Sequence, residues 1–334
     1  MRENLWTTLA MIACVISSLA SGAESASDPR VVPLWPAGSA NNPRDAQPPL
    51  LEIFYPVVPA RAQPVTMVIL PGGGFAGLSP YERRFGEYFA ALGYPTVVVS
   101  YRVAPHRHPA SFADAARAIR LLRKHGTEWK LPVQRIALLG GSAGGHLAAM
   151  IATQPDLYRD PEDDLAASIS ARPDRLILLY PVITAIEPFA YASFERLLGP
   201  DATDELKARV SPERHVSPNT PATLLIHAAD DPVVNVQNSV VFAEACWRAK
   251  VPAELHVYPR GGHGKQFAYD AEMSPLWRDV VQRWLARWMD EKIDGSARDA
   301  TVPDPERSQA SMPSSASYAG NHNDRMSASP RISP

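Results

Sequence analysis

The sequence predicts an α/β fold, with a mainly parallel central sheet covered by helices on both faces. Three observations carry that prediction. Short apolar runs recur along the chain and read as strands buried on both faces, because a strand with helices above and below shows no polar side. Between them lie stretches with apolar residues three and four apart, the period of a helix resting on a sheet. The two kinds of segment largely alternate, which is the order that builds parallel strands through helical crossovers.

In chain order, LLEIFYP (50–56) and VTMVIL (65–70) are strand-like, and YERRFGEYFAAL (81–92) is the first helical stretch. PTVVVSY (95–101) is the next strand, followed by a helix over SFADAARAIRLLRKH (111–125). Ser111 followed by Asp114 predicts a capping-box-like start for that helix. RIALLG (135–140) reads as a strand running into an alanine-rich helix that includes AAMIATQ (148–154). Strands RLILLY (175–180), ATLLIHA (222–228) and AELHVYP (253–259) follow, with helices over QNSVVFAEACWRAK (237–250) and PLWRDVVQRWLARWM (275–289). No repeat with the period of a solenoid or propeller is visible.

One long stretch, 183–220, breaks the rhythm after a strand end, with room for two short helices. It is expected to be a cap-like insertion partly covering an active site, since long connections of this kind often serve as binding loops; a packing excursion is the alternative. The first 23 residues, MRENLWTTLAMIACVISSLASGA, join an early arginine to an apolar run and a small-residue end, the pattern of a secretory signal peptide. An uncleaved anchor is the alternative reading. A lipid-bearing Cys14 is disfavoured, because the apolar run continues past it. From residue 295 to 334 the chain turns to Ser, Pro, Ala and Asn without hydrophobic period and is expected to be a disordered tail. The folded domain is therefore expected over 24–294, in a chain destined for the periplasm or the exterior.

Of the 334 residues 46% are hydrophobic, enough for a substantial core, and the formal net charge of -2 argues against nucleic acid or an acidic membrane surface as partner. The two cysteines are Cys14 and Cys246, so cleavage near Ala23 leaves no pair for an intramolecular disulfide. The nine histidines are scattered without zinc-ligand spacing, and no metal is expected.

The chemistry is concentrated where strands end. Gly140-Gly141-Ser142-Ala143-Gly144 matches G-x-S-x-G, a sharp strand-to-helix turn that exposes a nucleophilic serine. A serine hydroxyl needs a base, a group to orient that base, and donors for the oxyanion. Asp230 and Asp231 follow the strand ATLLIHA; Asp231 directly precedes PVV and is the chosen orienter, with Asp230 supporting the loop. His263 lies in the glycine-rich loop after AELHVYP and is the expected base, whereas His227 and His256 fall inside strand patterns and read as packed or exposed strand residues. Serine, aspartate and histidine, each just past a strand, follow the chain order of one known family of triads. The loop PGGGFAGLSP, after an earlier strand, offers Gly73 or Gly74 as oxyanion donors together with the N–H of Ala143. Phe75 and His146 are candidate pocket residues, with packing beneath the loops as the alternative.

The series PGGGFAGLSP, SYRVAPHRHPASFADAARAIRLLRKH, RIALLGGSAGGHLAA, LLYPVIT, HAADDPVV and PAELHVYPRGGHG resembles the bacterial esterase and lipase branch of the α/β-hydrolase superfamily, in particular its acetylxylan-esterase-like and feruloyl-esterase-like members. The likeness runs from about Val32 to about Met289. It implies the α/β-hydrolase fold, Ser142 as nucleophile, Asp231 as orienter, His263 as base, and Gly73, Gly74 and Ala143 around the oxyanion. Pro71 stands where hormone-sensitive-lipase-like chains carry histidine before their glycines, which favours the smaller acetylesterase-like branch. The implied activity is a secreted serine esterase acting without a cofactor on short acyl esters, chiefly acetyl, of xylan or another polysaccharide, as a carbohydrate esterase would. A peptidase or amidase of the same fold, and a non-catalytic binding protein on this scaffold, are the rival readings.

Overall fold

A computed structural model of the chain describes residues 29–42 and 48–291. The chain divides into a unit Met1–Ile293 and a second unit Asp294–Pro334, and both the expected leader (1–23) and the expected tail (295–334) lie outside the described residues. Among the described residues there are eight strands: β1 (Arg30–Pro33), β2 (Leu50–Phe54), β3 (Thr66–Leu70), β4 (Thr96–Ser100), β5 (Ile136–Gly141), β6 (Arg175–Leu179), β7 (Thr223–Ala228) and β8 (Ala253–Tyr258). They form one sheet in the order β1-β2-β4-β3-β5-β6-β7-β8. β1 and β2 run antiparallel, as do β2 and β4, and every other pairing is parallel.

The nine α-helices are α1 (Pro80–Arg83), α2 (Phe85–Ala91), α3 (Ala110–His125), α4 (Ser142–Thr153), α5 (Ser193–Leu198), α6 (Asp204–Arg209), α7 (Gln237–Arg248), α8 (Lys265–Tyr269) and α9 (Met273–Asp290) among the described residues. Alternation along the central strands shows why both sheet faces need cover. Val68 and Leu70 of β3, Leu138 of β5 and Leu178 of β6 join one core with Phe112 of α3, Leu147 of α4 and Phe242 of α7. Their strand neighbours Met67, Ile69, Leu139 and Ile177 join the other, with Phe89 of α2, Phe267 of α8 and Trp277 of α9. Period-two alternation with apolar residues at every position is what a doubly covered sheet requires.

Two local expectations are corrected. The helix over 81–92 is two helices that meet at Arg84. The capping box at Ser111 and Asp114 does not form: α3 starts one residue earlier, and its N-cap position is Pro109 without a side-chain cap. Asp114 instead faces inward, accepting from Trp35 Nε1 at 2.7 Å and pairing with Arg102 at 2.8 Å. The ionised guanidinium and the indole N–H give the buried carboxylate charge-assisted and neutral hydrogen bonds that leave it unavailable to cap the helix.

Because β3, β5, β7 and β8 point the same way, the loops that follow them open along one edge of the sheet. In open α/β sheets ligands collect at this carboxyl edge.

Candidate active site

Strand β5 ends in Gly141, still extended at φ -109° and ψ 140°, and α4 begins at once with Ser142 at φ 52°. A left-handed backbone at a non-glycine residue costs on the order of 1–3 kcal/mol and survives only where its surroundings over-determine it. Here the constraint is the close crossing of strand and helix. A Cβ on Gly140 would lie 2.2 Å from the Gly144 oxygen, and one on Gly144 would lie 2.0 Å from the Leu70 oxygen of β3. Ser142 is thereby held at the sheet edge, 7% exposed.

The loops after β7 and β8 bring the other two side chains to it. His263 Nε2 stands 2.9 Å from Ser142 Oγ, and His263 Nδ1 stands 2.6 Å from Asp231 Oδ2. A carboxylate can only accept, so Nδ1 carries the proton and Nε2 is left bare to accept from the serine hydroxyl. Asp231 Oδ1 accepts from the N–H groups of Val233 at 2.8 Å and Val234 at 2.9 Å. Burial opposes ionisation of Asp231, but the hydrogen bonds from His227 and His263 outweigh it and hold the carboxyl well below the usual carboxylate range. Asp230 supports the same loop by accepting from the Gly262 N–H at 2.9 Å.

The loop after β3 packs directly against the serine turn: a Cβ on Gly72 would be 2.9 Å from the Gly141 oxygen and 3.1 Å from Ser142 Cβ. Gly73 and Gly74 carry φ values of 122° and 61°, and their N–H groups donate to no carbonyl among the described residues. Ala143 lies in the first turn of α4, where backbone N–H groups lack intrahelical partners. The expected pocket residues Phe75 and His146 are placed beneath this loop. Phe75 is 2% exposed and meets the His146 ring edge-on at 5.9 Å, while His146 is wholly buried and donates from Nε2 to the Val210 oxygen at 2.6 Å. The insertion 183–220 reaches the same place: Arg196 Nη1 donates to the Gly74 oxygen at 3.4 Å, and Phe194 meets His146 at 5.0 Å.

Two residues near the site escaped the sequence reading. His227 is a packed strand residue of β7, as expected, but the sequence does not signal that its Nε2 donates to Asp231 Oδ2 at 3.0 Å while its Nδ1 accepts from Ser239 at 2.8 Å. Glu82, on α1, is 1% exposed and accepts from the Tyr180 hydroxyl at 3.0 Å. Its spacing from Ser79 is that of a capping box, and Ser79 does cap α1 by accepting from the Tyr81 N–H. Among the described residues no cluster of His, Cys, Asp and Glu could hold a metal ion, and no helix is long and apolar enough to cross a membrane.

The sequence model of the BD-FAE family matches residues 51–246, more than half of the chain. The chain belongs to the BD-FAE family. It is an acetylxylan-esterase-like α/β-hydrolase, and its sheet is the mostly parallel one of that fold. Among relatives of this BD-FAE chain, endo-1,4-beta-xylanase B of Butyrivibrio fibrisolvens is 35% identical over 61% of the chain and 33% of its own length. Acetylxylan esterase of Xylanibacter ruminicola is 28% identical over 60% of the chain and 41% of its own length. The chain thus spans well under half of either relative. A solved structure, the acetyl ester-xyloside bifunctional hydrolase of Caldicellulosiruptor lactoaceticus, superposes with a TM-score of 0.70 at 34% identity, covering 78% of this chain and 97% of that one.

Proposed function

We propose that this chain is a carboxylic ester hydrolase that works by acyl transfer through Ser142. The single observation that carries the reading is the unbroken hydrogen-bond series from Ser142 Oγ through His263 to Asp231. Ser142 Oγ attacks the ester carbonyl carbon as its proton passes to His263 Nε2. The negative charge that develops on the carbonyl oxygen is met by the N–H groups of Gly73, Gly74 and Ala143. Collapse of this intermediate expels the alcohol, which takes the proton from Nε2 and leaves an acyl-enzyme. Water then gives a proton to Nε2 and attacks the acyl carbon; the carboxylic acid leaves and Ser142 regains its proton. Asp231 keeps His263 in the required tautomer and stabilises the imidazolium formed at each attack.

The substrate proposed is a short acyl ester, chiefly acetate, on xylan or its fragments. Relatives named for xylan, acetylxylan and acetyl ester-xyloside chemistry support that class. The insertion 183–220 is assigned the cap role, resting on the contact between Arg196 and the loop at Gly74. Export is assigned on the apolar run of the first 23 residues, to be checked by the N-terminal mass of the protein recovered outside the cytoplasm.

The test is hydrolysis of p-nitrophenyl acetate, butyrate, octanoate and palmitate by the protein and by Ser142→Ala, followed by acetate release from acetylated xylo-oligosaccharides. Activity that falls with chain length and drops by about 10⁶ in kcat in the variant is expected. Faster turnover of palmitate would overturn the acyl assignment, and equal activity in the variant would overturn the mechanism.

A further inference from the structure

Behind the serine turn lies a buried acid that the acyl-transfer scheme does not use. Glu82 Oε1 would be 2.9 Å from a Cβ on Gly141 and 3.3 Å from one on Gly72. The carboxyl therefore occupies the space that side chains at those two positions would fill, between the ends of β3 and β5. The Tyr180 hydroxyl donates to Oε1 at 3.0 Å, and Oε2 has no partner among the described residues. Burial pushes the Glu82 carboxyl up from its ordinary range, with the Ser79 hydroxyl pulling the other way.

Tyr180 connects this acid to the base. It follows β6, is fully buried, and has φ 37°, a strained conformation for a bulky residue. Its hydroxyl is fixed by Glu82, and its ring meets His263 edge-on at 4.8 Å and Phe267 at 5.1 Å. Two residues on, the Val182 N–H donates to the Ser142 oxygen at 3.0 Å. One short segment thus touches both the nucleophile's backbone and the ring of the base.

We propose that Glu82 is a positioning residue: by accepting from Tyr180, its buried carboxyl anchors the aromatic ring against which His263 is held in line with Ser142. The role deepens the esterase reading and rests on it. It asks for an acceptor oxygen at position 82 rather than a negative charge. A glutamine, which keeps one carbonyl-type oxygen in nearly the same volume, should therefore suffice.

The experiment compares the parent with Glu82→Gln, Glu82→Ala, Tyr180→Phe and Ser142→Ala. The readouts are kcat and KM on p-nitrophenyl acetate, the fraction of competent sites titrated by a fluorophosphonate, the rate of that labelling, and Tm. Tyr180→Phe keeps the ring and loses only the hydroxyl, so it carries the test if Glu82→Ala does not fold. A misplaced base is expected to lower kcat and labelling rate per competent site by about 10- to 100-fold in Tyr180→Phe and Glu82→Ala, with KM unchanged. Glu82→Gln is expected to stay within about threefold of the parent, because the acceptor is retained. A purely structural role would reduce Tm or the competent fraction and leave the rate per site alone; that result overturns the proposal. So does Glu82→Gln as impaired as Glu82→Ala. If the parent is labelled no faster than Ser142→Ala, the esterase reading itself fails; if the parent is labelled and Tyr180→Phe matches it, only the Glu82 assignment fails.

Discussion

At the residue scale the proposed acyl transfer turns on Asp231, where N–H groups from His263, His227, Val233 and Val234 converge on two oxygens. All four favour the ionised carboxylate, and an ionised Asp231 is what keeps the His263 proton on Nδ1 and Nε2 free for Ser142. Asp231→Asn can turn an amide N–H toward Nδ1, which stabilises the wrong tautomer with little change in shape. A fall in kcat of about 10⁴ on p-nitrophenyl acetate is expected, with Tm much less affected. A variant within tenfold of the parent would remove Asp231 from the mechanism. Ser142, Asp231 and His263 were legible as candidates because each lies in the turn or loop just after an apolar run, and parallel strands put such loops on one edge. His227 and Glu82 were not. Their partners are set by how loops fold back across the sheet, which no local pattern in the sequence encodes.

At the element scale, the crossing of β5 into α4 depends on the absence of side chains. Gly144 faces the Leu70 and Pro71 oxygens, and these are backbone atoms of a central strand and its loop, which cannot move aside like the end of a flexible side chain. Gly144→Ala is expected to cost about 3 kcal/mol or more in denaturant unfolding, with loss of activity at any temperature. Gly77 is the control: a Cβ there meets nothing within 4 Å, so Gly77→Ala should lie within about 0.5 kcal/mol of the parent. Equal midpoints for the two variants would show that the elbow tolerates a methyl group. The central strands were readable because burial on both faces removes polar residues from them. Edge strand β1 was not: RVVP is four residues long, ends in proline and is largely exposed, so neither length nor apolar content separates it from loop. The start of α3 differs from the expectation for another reason, since Asp114, the acidic half of the apparent cap, serves a buried ion pair instead.

At the scale of the whole molecule, His146 is the joint. Phe112 of α3, Phe75 of the glycine loop and Phe194 of the insertion all meet its ring, and Nε2 donates to Val210 beyond α6. Since Nε2–H is used by a carbonyl, Nδ1 is the bare nitrogen, and it has no partner among the described residues. Protonation would place a charged donor there with nothing to accept it, and burial pushes the His146 pKa down to about 4. In the unfolded chain a histidine titrates near 6.5. Between these values the unfolded chain binds a proton that the folded chain refuses, so stability falls as pH falls, by up to roughly 3 kcal/mol from this group. His108, also lowered to about 4 by burial, acts in the same sense. Glu82, Asp114 and Glu213, raised by burial, act in the opposite sense, because the folded state then holds their protons more tightly. The slope for the parent is therefore a sum, and His146→Gln isolates one part of it: urea midpoints measured from pH 7 to pH 4 should decline less steeply in the variant, by about one proton's worth of slope. Parallel curves would mean that His146 is protonated in the folded protein, and that the joint between α4, the glycine loop and the insertion tolerates a charge.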